Sequence, residues 1–444
     1  MSNKYSIPEL IDNAPLTPFQ WRVFILCFLI AIFDGFDTQA VAFTGPALIQ
    51  AFNLGPGALG PVMAAGTAGM VVGAMILGLL GDKTGRRPAV IGAVALFGGA
   101  TLATAFATST EQMIVLRFIA GLGMGGATPI ILSLAAEYGP SRMRGTIMTT
   151  VLLGLPAGAI LGGLLAAKML PVIGWQGIYI VGGIVPLALL VILIFALPES
   201  LQHLASNKIK NNTAKIYPIL RKIVKTPIED NAEFTVPGQA MKTRLSSLFA
   251  NGLARNTTAV WAIYMFNWIA WFMLLSWLPT VLKAAGLPAD QAPLGTVTIN
   301  AVFVLCAIPL SMLLPKVNTR LLLLVMFTFG ILLSFGLANS GTNWTWVFIL
   351  AGAAGMGIGG QQIVLNYMVA QAYPTTLRAT ATGWAIAVGR IGAIIGSASG
   401  GWVLEQAGVS GFFMSLALPL AIATAALLII KPQAKTSEAK LVTA

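Results

Sequence analysis

Gly121-Leu-Gly-Met-Gly-Gly126 occurs in this chain a second time, slightly altered, as Gly355-Met-Gly-Ile-Gly-Gly360. The two copies lie 234 positions apart (355 − 121), and the same offset relates Gly158-Ala-Ile-Leu-Gly162 to Gly392-Ala-Ile-Ile-Gly396. Glycine-rich segments that were similar only by chance would not keep one register over such a distance. The sequence therefore contains an internal duplication, and its two copies should have the same fold.

The composition places both copies in a membrane. Hydrophobic residues make up 57% of the 444 residues and charged residues only 9%, a balance that ordinary soluble domains do not show. Twelve apolar segments approach the length of about 20 residues that a membrane-spanning helix needs. Their approximate limits are 22–46, 57–80, 88–108, 111–137, 145–170, 175–197, 257–282, 293–315, 320–338, 343–370, 376–402 and 410–431.

Residues 198–256 are the only long polar stretch, and they divide the predicted spans six and six. Because six is even, the two copies have the same orientation in the membrane. We therefore predict an all-α membrane protein with two parallel six-helix repeats around a central cavity, as in rocker-type secondary transporters. The predicted units are an arm (1–21), a first bundle (22–197), a linker (198–256), a second bundle (257–431) and a tail (432–444).

The net charge of +12 is concentrated on one side of the membrane. Of the 26 Lys and Arg residues, 22 lie on the side of the two termini, and only Lys168 and Lys283 lie on the opposite side. This asymmetry predicts that the arm, the linker and the tail are cytoplasmic. It also explains the basic excess without nucleic acid as a partner. The first 21 residues lack the apolar core of a cleavable signal peptide.

The chain offers few residues for enzyme chemistry. Cys27 and Cys306 both fall inside predicted spans, and the single histidine, His203, falls in a loop. No group of side chains has the spacing of metal ligands. We therefore predict a protein that is not an enzyme and that uses no metal or other cofactor.

Asp34-Gly-Phe-Asp37 lies within the first predicted span. A carboxylate at this depth costs about 2.5–3.5 kcal/mol on insertion-derived scales, and a spacing of three residues places both carboxylates on one helical face. The pair therefore predicts a proton or ion site that faces an aqueous cavity. The alternative is a pair of packing carboxylates that a buried arginine neutralises.

Two arginines also fall inside predicted spans. Arg117 in span 4 should lie within a few ångströms of the depth of Asp37, judged from the helical rise of about 1.5 Å per residue. We expect Asp34, Asp37 and Arg117 to carry proton coupling, although Asp37 and Arg117 would also suit a permanent structural ion pair. Arg390 in span 11 lies level with Asp34. Its planar guanidinium suits a carboxylate, so it should bind an anionic substrate unless it only neutralises Asp34.

Aromatic and amide side chains are candidates for the rest of a substrate site. Gln362 and Asn366 are spaced i, i+4 and therefore share one helical face. Flat aromatic walls with a few amide or phenol groups would suit a planar, hydroxylated ring, although aromatic residues in membrane helices more often face lipid or pack. The predicted substrate-binding residues are Arg390, Gln362, Asn366, Trp268, Trp271, Tyr367 and Trp384.

Gly78-Leu-Leu-Gly-Asp-Lys-Thr-Gly-Arg-Arg87 connects spans 2 and 3. Its glycines permit a tight turn, and Asp82 can accept hydrogen bonds from the N-terminus of a helix in the other half. Arg86 can pair with Glu137 at the end of span 4. We predict that this loop forms part of a cytoplasmic gate. The alternative is that its basic residues only determine the orientation of the chain in the membrane. The predicted cytoplasmic gate consists of Gly81, Asp82, Gly85, Arg86, Glu137, Arg144 and Arg378.

The loop between spans 2 and 3 resembles the loop signature of the major facilitator superfamily. Asp34-Gly-Phe-Asp37, Trp277-Leu-Pro279, Tyr373-Pro-Thr-Thr-Leu-Arg-Ala-Thr380 and Gly383-Trp-Ala-Ile-Ala-Val-Gly-Arg-Ile-Gly-Ala393 resemble, more narrowly, its aromatic acid:proton symporter family. The resemblance covers residues 15–431. It implies uptake of benzoate-type acids, such as hydroxybenzoates or protocatechuate, driven by the proton gradient across a bacterial inner membrane.

By the same resemblance, both acids of the span 1 motif, Arg117, Arg378 and Arg390 match positions that are tied to transport. The family often has an acidic residue in the loop between spans 8 and 9, where this chain has Lys316. The expected partners are a small aromatic carboxylate, protons and the lipid bilayer, with the protein as a monomer.

Three alternatives remain open at the level of sequence. One is a proton-coupled exporter or antiporter of the same fold, and another is an importer of a related organic acid such as phthalate or muconate. The third is a membrane sensor that binds aromatic acids without transport, although the linker is too short and polar for a signalling domain.

Overall fold

The computed structural model describes residues 4–206, 213–224, 233–235, 245–250 and 252–430. The predicted tail (432–444) and parts of the predicted linker lie outside the described residues. The helices and strands in chain order are β1 (Lys4–Ser6), α1 (Ile7–Asp12), α2 (Pro18–Ala51), α3 (Gly60–Thr84), α4 (Arg86–Thr104), α5 (Thr110–Tyr138), α6 (Arg144–Ala196), α7 (Leu201–Ser206), α8 (Thr213–Leu220), β2 (Glu233–Thr235), α9 (Ala254–Ala284), α10 (Pro293–Leu313), α11 (Thr319–Ala338), α12 (Trp344–Ala354), α13 (Gln361–Ala372), α14 (Thr375–Ser415) and α15 (Ala417–Ile429).

Local signals determine where the long helices begin. Thr17 and Gln20 form a capping box before α2, in which the backbone N–H of Thr17 donates to Gln20 Oε1 (2.9 Å). Pro18 occupies the first helical position, where no N–H is needed. Gly85 has a φ of 107° between α3 and α4, a conformation that favours glycine. The chain can therefore turn from α3 into α4 without a long loop.

Two of the ten described helices that are long and apolar enough to span a membrane have about twice the usual length. α6 has 53 residues, and an unbroken helix of that length would be about 80 Å long, against a hydrocarbon core of about 30 Å. It is broken at Gly174 (φ 66°). The other long segment, Thr376–Ile429, has 54 residues, comprises α14 and α15, and is broken at Gly408 (φ 65°). The two breaks have the offset of the sequence repeat, 234 (408 − 174). If each of these two segments crosses the membrane twice, the described helices give twelve crossings, the number that the sequence predicts.

The repeat is also visible in the way the helices pack. In the first half α2 packs against α6, and in the second half α9 packs against α14. A Cβ atom at Gly158 would collide with the carbonyl oxygen of Ile32, and a Cβ atom at Gly392 would collide with that of Met265. Glycine at these positions therefore allows the two backbones to touch. The duplicated segment is a helix-packing motif in both halves.

The two halves meet at one face of the bundle, which we call the closed face and which is formed by residues 52–60 and 398–405. A Cβ atom at Gly60 would collide with the carbonyl oxygen of Ala398, so the backbones touch here. The backbone N–H of Gly57 donates to Glu405 Oε2 (3.0 Å). Within the described part of the chain, this is the one hydrogen bond that joins the two halves.

The opposite end of the bundle, where α3 ends and α14 begins, is the open face. Gly78 and Gly383 have no atom of another segment within 4 Å of the Cβ position, so nothing packs on them. The hydrophobic core at this end of the first half contains only residues of the first half, the arm and the linker. At the closed face, by contrast, one core is continuous across both halves. The structure is therefore open toward the face that carries both ends of the described chain.

The arm and part of the linker form a small cap on the open-face end of the first half. The cap consists of β1, α1, α7, α8 and β2, and β1 pairs with β2 in parallel. Ile7, Ile11, Ile216 and Leu220 are buried in the core of the first half. Isoleucine and leucine at i, i+4 give the short cap helices an apolar face, which the division of the sequence into an arm and a polar linker did not predict.

One prediction concerns the contact between Glu405 and Gly57 at the closed face. Glu405→Gln removes the negative charge that accepts the backbone N–H of Gly57 at the start of a helix. If this costs about 1 kcal/mol of contact energy, the fraction of molecules with an open closed face should rise by roughly fivefold. The measurement is the labelling rate of Ser276→Cys by a membrane-impermeant thiol reagent, after Cys27 and Cys306 have been replaced by alanine. Ser276 lies in a cavity below the closed face.

Glu111→Gln is the matched control for Glu405→Gln, since Glu111 is an exposed carboxylate near the same face. Its labelling rate should equal that of the parent protein. Equal rates for Glu405→Gln and Glu111→Gln would show that the contact does not hold the halves together.

Candidate functional site

Asp37 and Arg117 form an ion pair in the interior of the first half. Arg117 Nη1 lies 3.1 Å from both carboxylate oxygens of Asp37, and the two side chains are only 0% and 2% exposed. Thr101 Oγ1 donates to Asp37 Oδ1 (2.8 Å). Arg117 Nη2 donates to Thr104 Oγ1 (2.8 Å). The structure thus brings together the two residues that the depth estimate placed side by side.

A tyrosine completes the surroundings of Arg117. The guanidinium carbon of Arg117 lies 5.0 Å from the centre of the Tyr179 ring, within the range of a cation–π interaction. The hydroxyl of Tyr179 is 2.9 Å from Thr44 Oγ1. Four helices, α2, α4, α5 and α6, therefore contribute to one buried network around a single charge pair.

Asp34 has different surroundings, although it lies one turn before Asp37 on the same helix. It is 3% exposed, and its carboxylate accepts hydrogen bonds from the hydroxyls of Thr38 (3.3 Å) and Thr128. Arg390 attracts it electrostatically. Among the described residues Asp34 is in no direct ion pair. Its negative charge is stabilised by hydrogen bonds from the two threonine hydroxyls and by the attraction of Arg390 on the other half.

Arg390 lies on the second half, close enough to Asp34 for electrostatic attraction but without a direct ion pair. It is half-buried on α14, and the neighbouring Gly389 lies against the ring of Trp268 on α9. The indole N–H of Trp268 donates to Gln362 Oε1. An arginine, an aromatic face and an amide are therefore adjacent on the cavity side of the second half.

Hydrogen bonds extend this cluster toward the open face. Gln362 Nε2 donates to Asn366 Oδ1 (3.0 Å), and the phenol of Tyr264 donates to the same oxygen (2.7 Å). We call Trp268, Gln362, Asn366 and Tyr264 the amide cluster; Tyr264 is buried, Trp268 and Gln362 are half-buried, and Asn366 is exposed.

The structure places three other predicted substrate residues outside this cluster. The ring of Trp271 lies against Gly359 and near Phe303, so it packs between helices of the second half. Tyr367 is half-buried against the core of the second half. Trp384 is 41% exposed and stacks on Trp261 closer to the open face. Six residues of helix, about 9 Å, separate Trp384 from Arg390.

A small cavity of about 30 Å³ lies beside the Asp37–Arg117 pair. Phe272 and Ser276 of the second half complete its lining. A volume of this size holds about one or two water molecules. Asp37 is therefore next to space that water can enter, at the junction of the two halves.

The predicted gate is partly assembled. Arg86 forms an ion pair with Glu137, and Ser200 Oγ donates to Glu137 Oε2 (2.6 Å). Glu199 Oε1 accepts the backbone N–H groups of Arg86 (2.8 Å) and Arg87 (3.1 Å) at the start of α4. A carboxylate at a helix N-terminus is electrostatically favourable. All of these contacts lie within the first half and its linker.

Asp82 differs from its prediction. It is exposed, and no helix of the second half supplies it with a hydrogen bond within the described ranges. The reason is that the halves are apart at the open face. Gly81 packs against Ile130. Gly85 turns the chain with a positive φ.

The two remaining gate residues bind the ends of the preceding helices and make no contact with Glu137. Arg144 Nε donates to the carbonyl oxygen of Ala136 (3.0 Å). Arg378 Nε donates to that of Tyr373 (3.1 Å). Each arginine therefore fixes a short turn between two spans.

Several residues of the site were missed by the sequence analysis. They are uncharged or lie outside the quoted motifs, namely Thr101, Thr104, Thr128, Tyr179, Tyr264 and Glu199. Hydroxyls are common in membrane helices, where they also bond to the backbone of their own helix. Only the spacing of Thr101 and Thr104, which share a face with each other, offered a signal.

The chain resembles known transporters along its whole length. The model of the Major Facilitator Superfamily matches residues 27–338 and 260–443. A 4-hydroxybenzoate transporter of Pseudomonas putida is 35% identical over 436 residues, 95% of each chain. A gallate transporter of the same species is 34% identical over 425 residues, 95% of this chain and 94% of the other.

A solved structure shares the fold. The crystal structure of a D-xylose-proton symporter has a TM-score of 0.71 and 18% sequence identity, over 93% of this chain and 97% of the other. The superfamily consists of membrane transporters and not of enzymes. The chain belongs to the Major Facilitator Superfamily and is related, within it, to transporters of aromatic acids.

Proposed function

We propose that the protein imports a small aromatic carboxylate together with protons. The observation that carries the proposal is the position of Asp34 and Arg390, which lie on different halves and attract each other without a direct ion pair. Arg390 therefore has hydrogen-bonding capacity left for an anion. Relatives named as 4-hydroxybenzoate and gallate transporters support an aromatic acid as this anion.

The amide cluster provides a complementary wall for such a substrate. Arg390 binds the carboxylate through its planar fork, and the face of Trp268 packs against the ring. Gln362 and Asn366 then present amide groups to a ring hydroxyl, and the buried Tyr264 orients Asn366 through its hydrogen bond. A site built to bond a hydroxyl discriminates strongly against a ring that lacks it. We therefore assign a hydroxylated benzoate as the preferred substrate.

Asp34 is the proton carrier in this proposal, and Asp37 has a supporting role. Arg117 Nη1 contacts both carboxylate oxygens of Asp37, so Asp37 already has an ion-pair partner, whereas neutral hydroxyls surround Asp34. Loading of a proton on Asp34 and of an anion on Arg390 leaves no uncompensated charge at the centre. A half-loaded carrier has such a charge and is costly to reorient. Coupling follows from this difference.

The distribution of Lys and Arg orients the carrier. The positive side holds the arm, the linker and the tail, so the open face is cytoplasmic by the positive-inside rule. The described state is then inward-facing. Closure of the open face requires that α3, with Asp82, approaches α14. The preformed cluster of Arg86, Glu137 and Ser200 would hold the end of α3 ready for that contact.

The first prediction from this proposal concerns the proton role of Asp34. In vesicles energised by a proton gradient, Asp34→Asn should reduce uptake of labelled 4-hydroxybenzoate to the level of equilibration, while exchange of internal for external substrate continues. The reason is that an amide occupies the same space but does not exchange a proton. Asp290→Asn, in a loop of the second half, is the matched control and should accumulate substrate normally.

Two results would contradict this role. One is normal accumulation by Asp34→Asn. The other is uptake by the parent protein that a protonophore does not reduce, which would exclude symport altogether.

The second prediction concerns Arg390. Arg390→Gln should weaken binding of 4-hydroxybenzoate by roughly 10- to 100-fold, since hydrogen bonds to a charged group contribute about 1.5–3 kcal/mol. The measurement is the substrate-induced rise in the melting temperature of the purified protein over a concentration series. Arg320→Gln, which removes an arginine bonded to the carbonyl of Leu428, should leave affinity unchanged. Equal affinities of Arg390→Gln and the parent protein would contradict the assignment.

The third prediction separates the ring hydroxyl from the carboxylate. Gln362→Ala should weaken binding of 4-hydroxybenzoate by about five- to tenfold, for about 1 kcal/mol of hydrogen bonding, and should leave binding of benzoate nearly unchanged. The ratio of the two affinities is measured for both proteins. A uniform loss for both acids would show that Gln362 only supports the packing of α13 against α9.

A further inference from the structure

A second cavity, of about 580 Å³, lies outside the transport site, at the open-face end of the first half. The beginning of α2, the turn between α3 and α4, the end of α6 and the cap helices α7 and α8 surround it. It thus lies where the membrane-spanning helices leave the apolar region, with the cap as its outer wall.

Four cationic side chains line this cavity, namely Arg22, Arg87, Lys215 and Lys222. Two of them share one aromatic ring: the guanidinium carbon of Arg22 lies 4.9 Å from the centre of the Phe19 ring, and Lys222 Nζ lies 5.5 Å from it. Because both contact one ring, the two like charges are at most about 10 Å apart (4.9 + 5.5 Å), and they repel each other. An anion between them would turn that repulsion into attraction.

The one carboxylate among the described residues that line the cavity is not enough to neutralise these cations. Glu199 Oε1 already accepts the backbone N–H groups of Arg86, Arg87 and Ser200 at 2.8–3.1 Å. The guanidinium of Arg87 donates to the carbonyl oxygen of Ile194, and its Nε is buried without a hydrogen-bond partner among the described residues. Four cations against one carboxylate leave a surplus of three positive charges, apart from His203.

The outer side of the cavity is continuous with an apolar surface. Val191, Ile192 and Phe195 near the end of α6 are exposed, and Phe195 is 84% exposed. Such a surface on a membrane-spanning helix packs against acyl chains. A ligand with an anionic head and two acyl chains would match both parts, whereas a free phosphate would use only the cationic part.

We propose that this cavity binds the headgroup of an anionic phospholipid, whose phosphate lies between Arg22 and Lys222 and whose acyl chains follow α6. Clusters of Lys and Arg directly beside membrane spans attract anionic lipids in this way. The bound lipid links the start of α2 to the turn that follows the cap helix α8. It therefore stabilises the cap on the first half, independently of the substrate that the protein carries.

The test is native mass spectrometry of the full chain released from nanodiscs of phosphatidylethanolamine with a minor fraction of phosphatidylglycerol. The parent protein should retain phosphatidylglycerol. In Arg22→Gln/Lys222→Gln the retained fraction should fall by about tenfold. Arg221→Gln/Lys316→Gln removes two exposed cations at the same face but outside the cavity, and should retain the lipid as the parent protein does.

A soluble-ligand arm uses inorganic phosphate and glycerol 3-phosphate in a thermal-shift assay of the lipid-stripped protein. Stabilisation by these anions, without preferential retention of phosphatidylglycerol over phosphatidylethanolamine, would overturn the lipid as the ligand. Equal retention by the two double variants would also overturn the proposal, because the cations in the cavity would then only determine the orientation of the chain in the membrane. If the cavity variant does not fold, Lys215→Gln alone takes its place and should lower retention several-fold.

Discussion

A charge that is removed from water needs a partner, and the first half of this protein is organised around one such pair, Asp37 and Arg117. Both side chains are almost completely buried, and α2, α4, α5 and α6 all supply groups that contact the pair. Removal of one member of a buried pair typically costs about 3–5 kcal/mol. The pair therefore keeps these helices in one arrangement. Asp34, one turn away, has no ion-pair partner among the described residues.

The two halves have diverged where they face each other. At an offset of 233 (267 − 34), Asn267 stands in the place of Asp34 and donates to the buried Gln361, so the second half has a neutral amide pair where the first has a carboxylate. The second half carries its charge at Arg390 instead. Each half thus supplies one charge of opposite sign to the space between them. The packing glycines, in contrast, are the same in both halves, because they serve the fold and not the substrate.

Much of this arrangement could be predicted from the sequence, because helical depth and a constant offset are geometric quantities. Helical depth predicted the proximity of Asp37 to Arg117 and of Asp34 to Arg390, and the loop motif between spans 2 and 3 predicted the ion pair between Arg86 and Glu137. The threonines around these charges could not be predicted, since a hydroxyl in a helix has several possible partners. The cap could not be predicted either, because its elements are short and gain their stability by packing on the first half. The exposure of Asp82 depends on which state the two halves adopt, and a sequence does not specify a single state.

The central claim is that a proton on Asp34 and an anion on Arg390 stabilise each other. The most direct test is the pH dependence of substrate affinity, measured with benzoate because it has no ring hydroxyl to titrate. At high pH the affinity of the parent protein should fall by about tenfold per pH unit, as expected for the uptake of one proton on binding. Asp34→Asn should bind with an affinity that does not change with pH over the same range. The same steep dependence in Asp34→Asn would contradict the account, as would an affinity of the parent protein that is independent of pH.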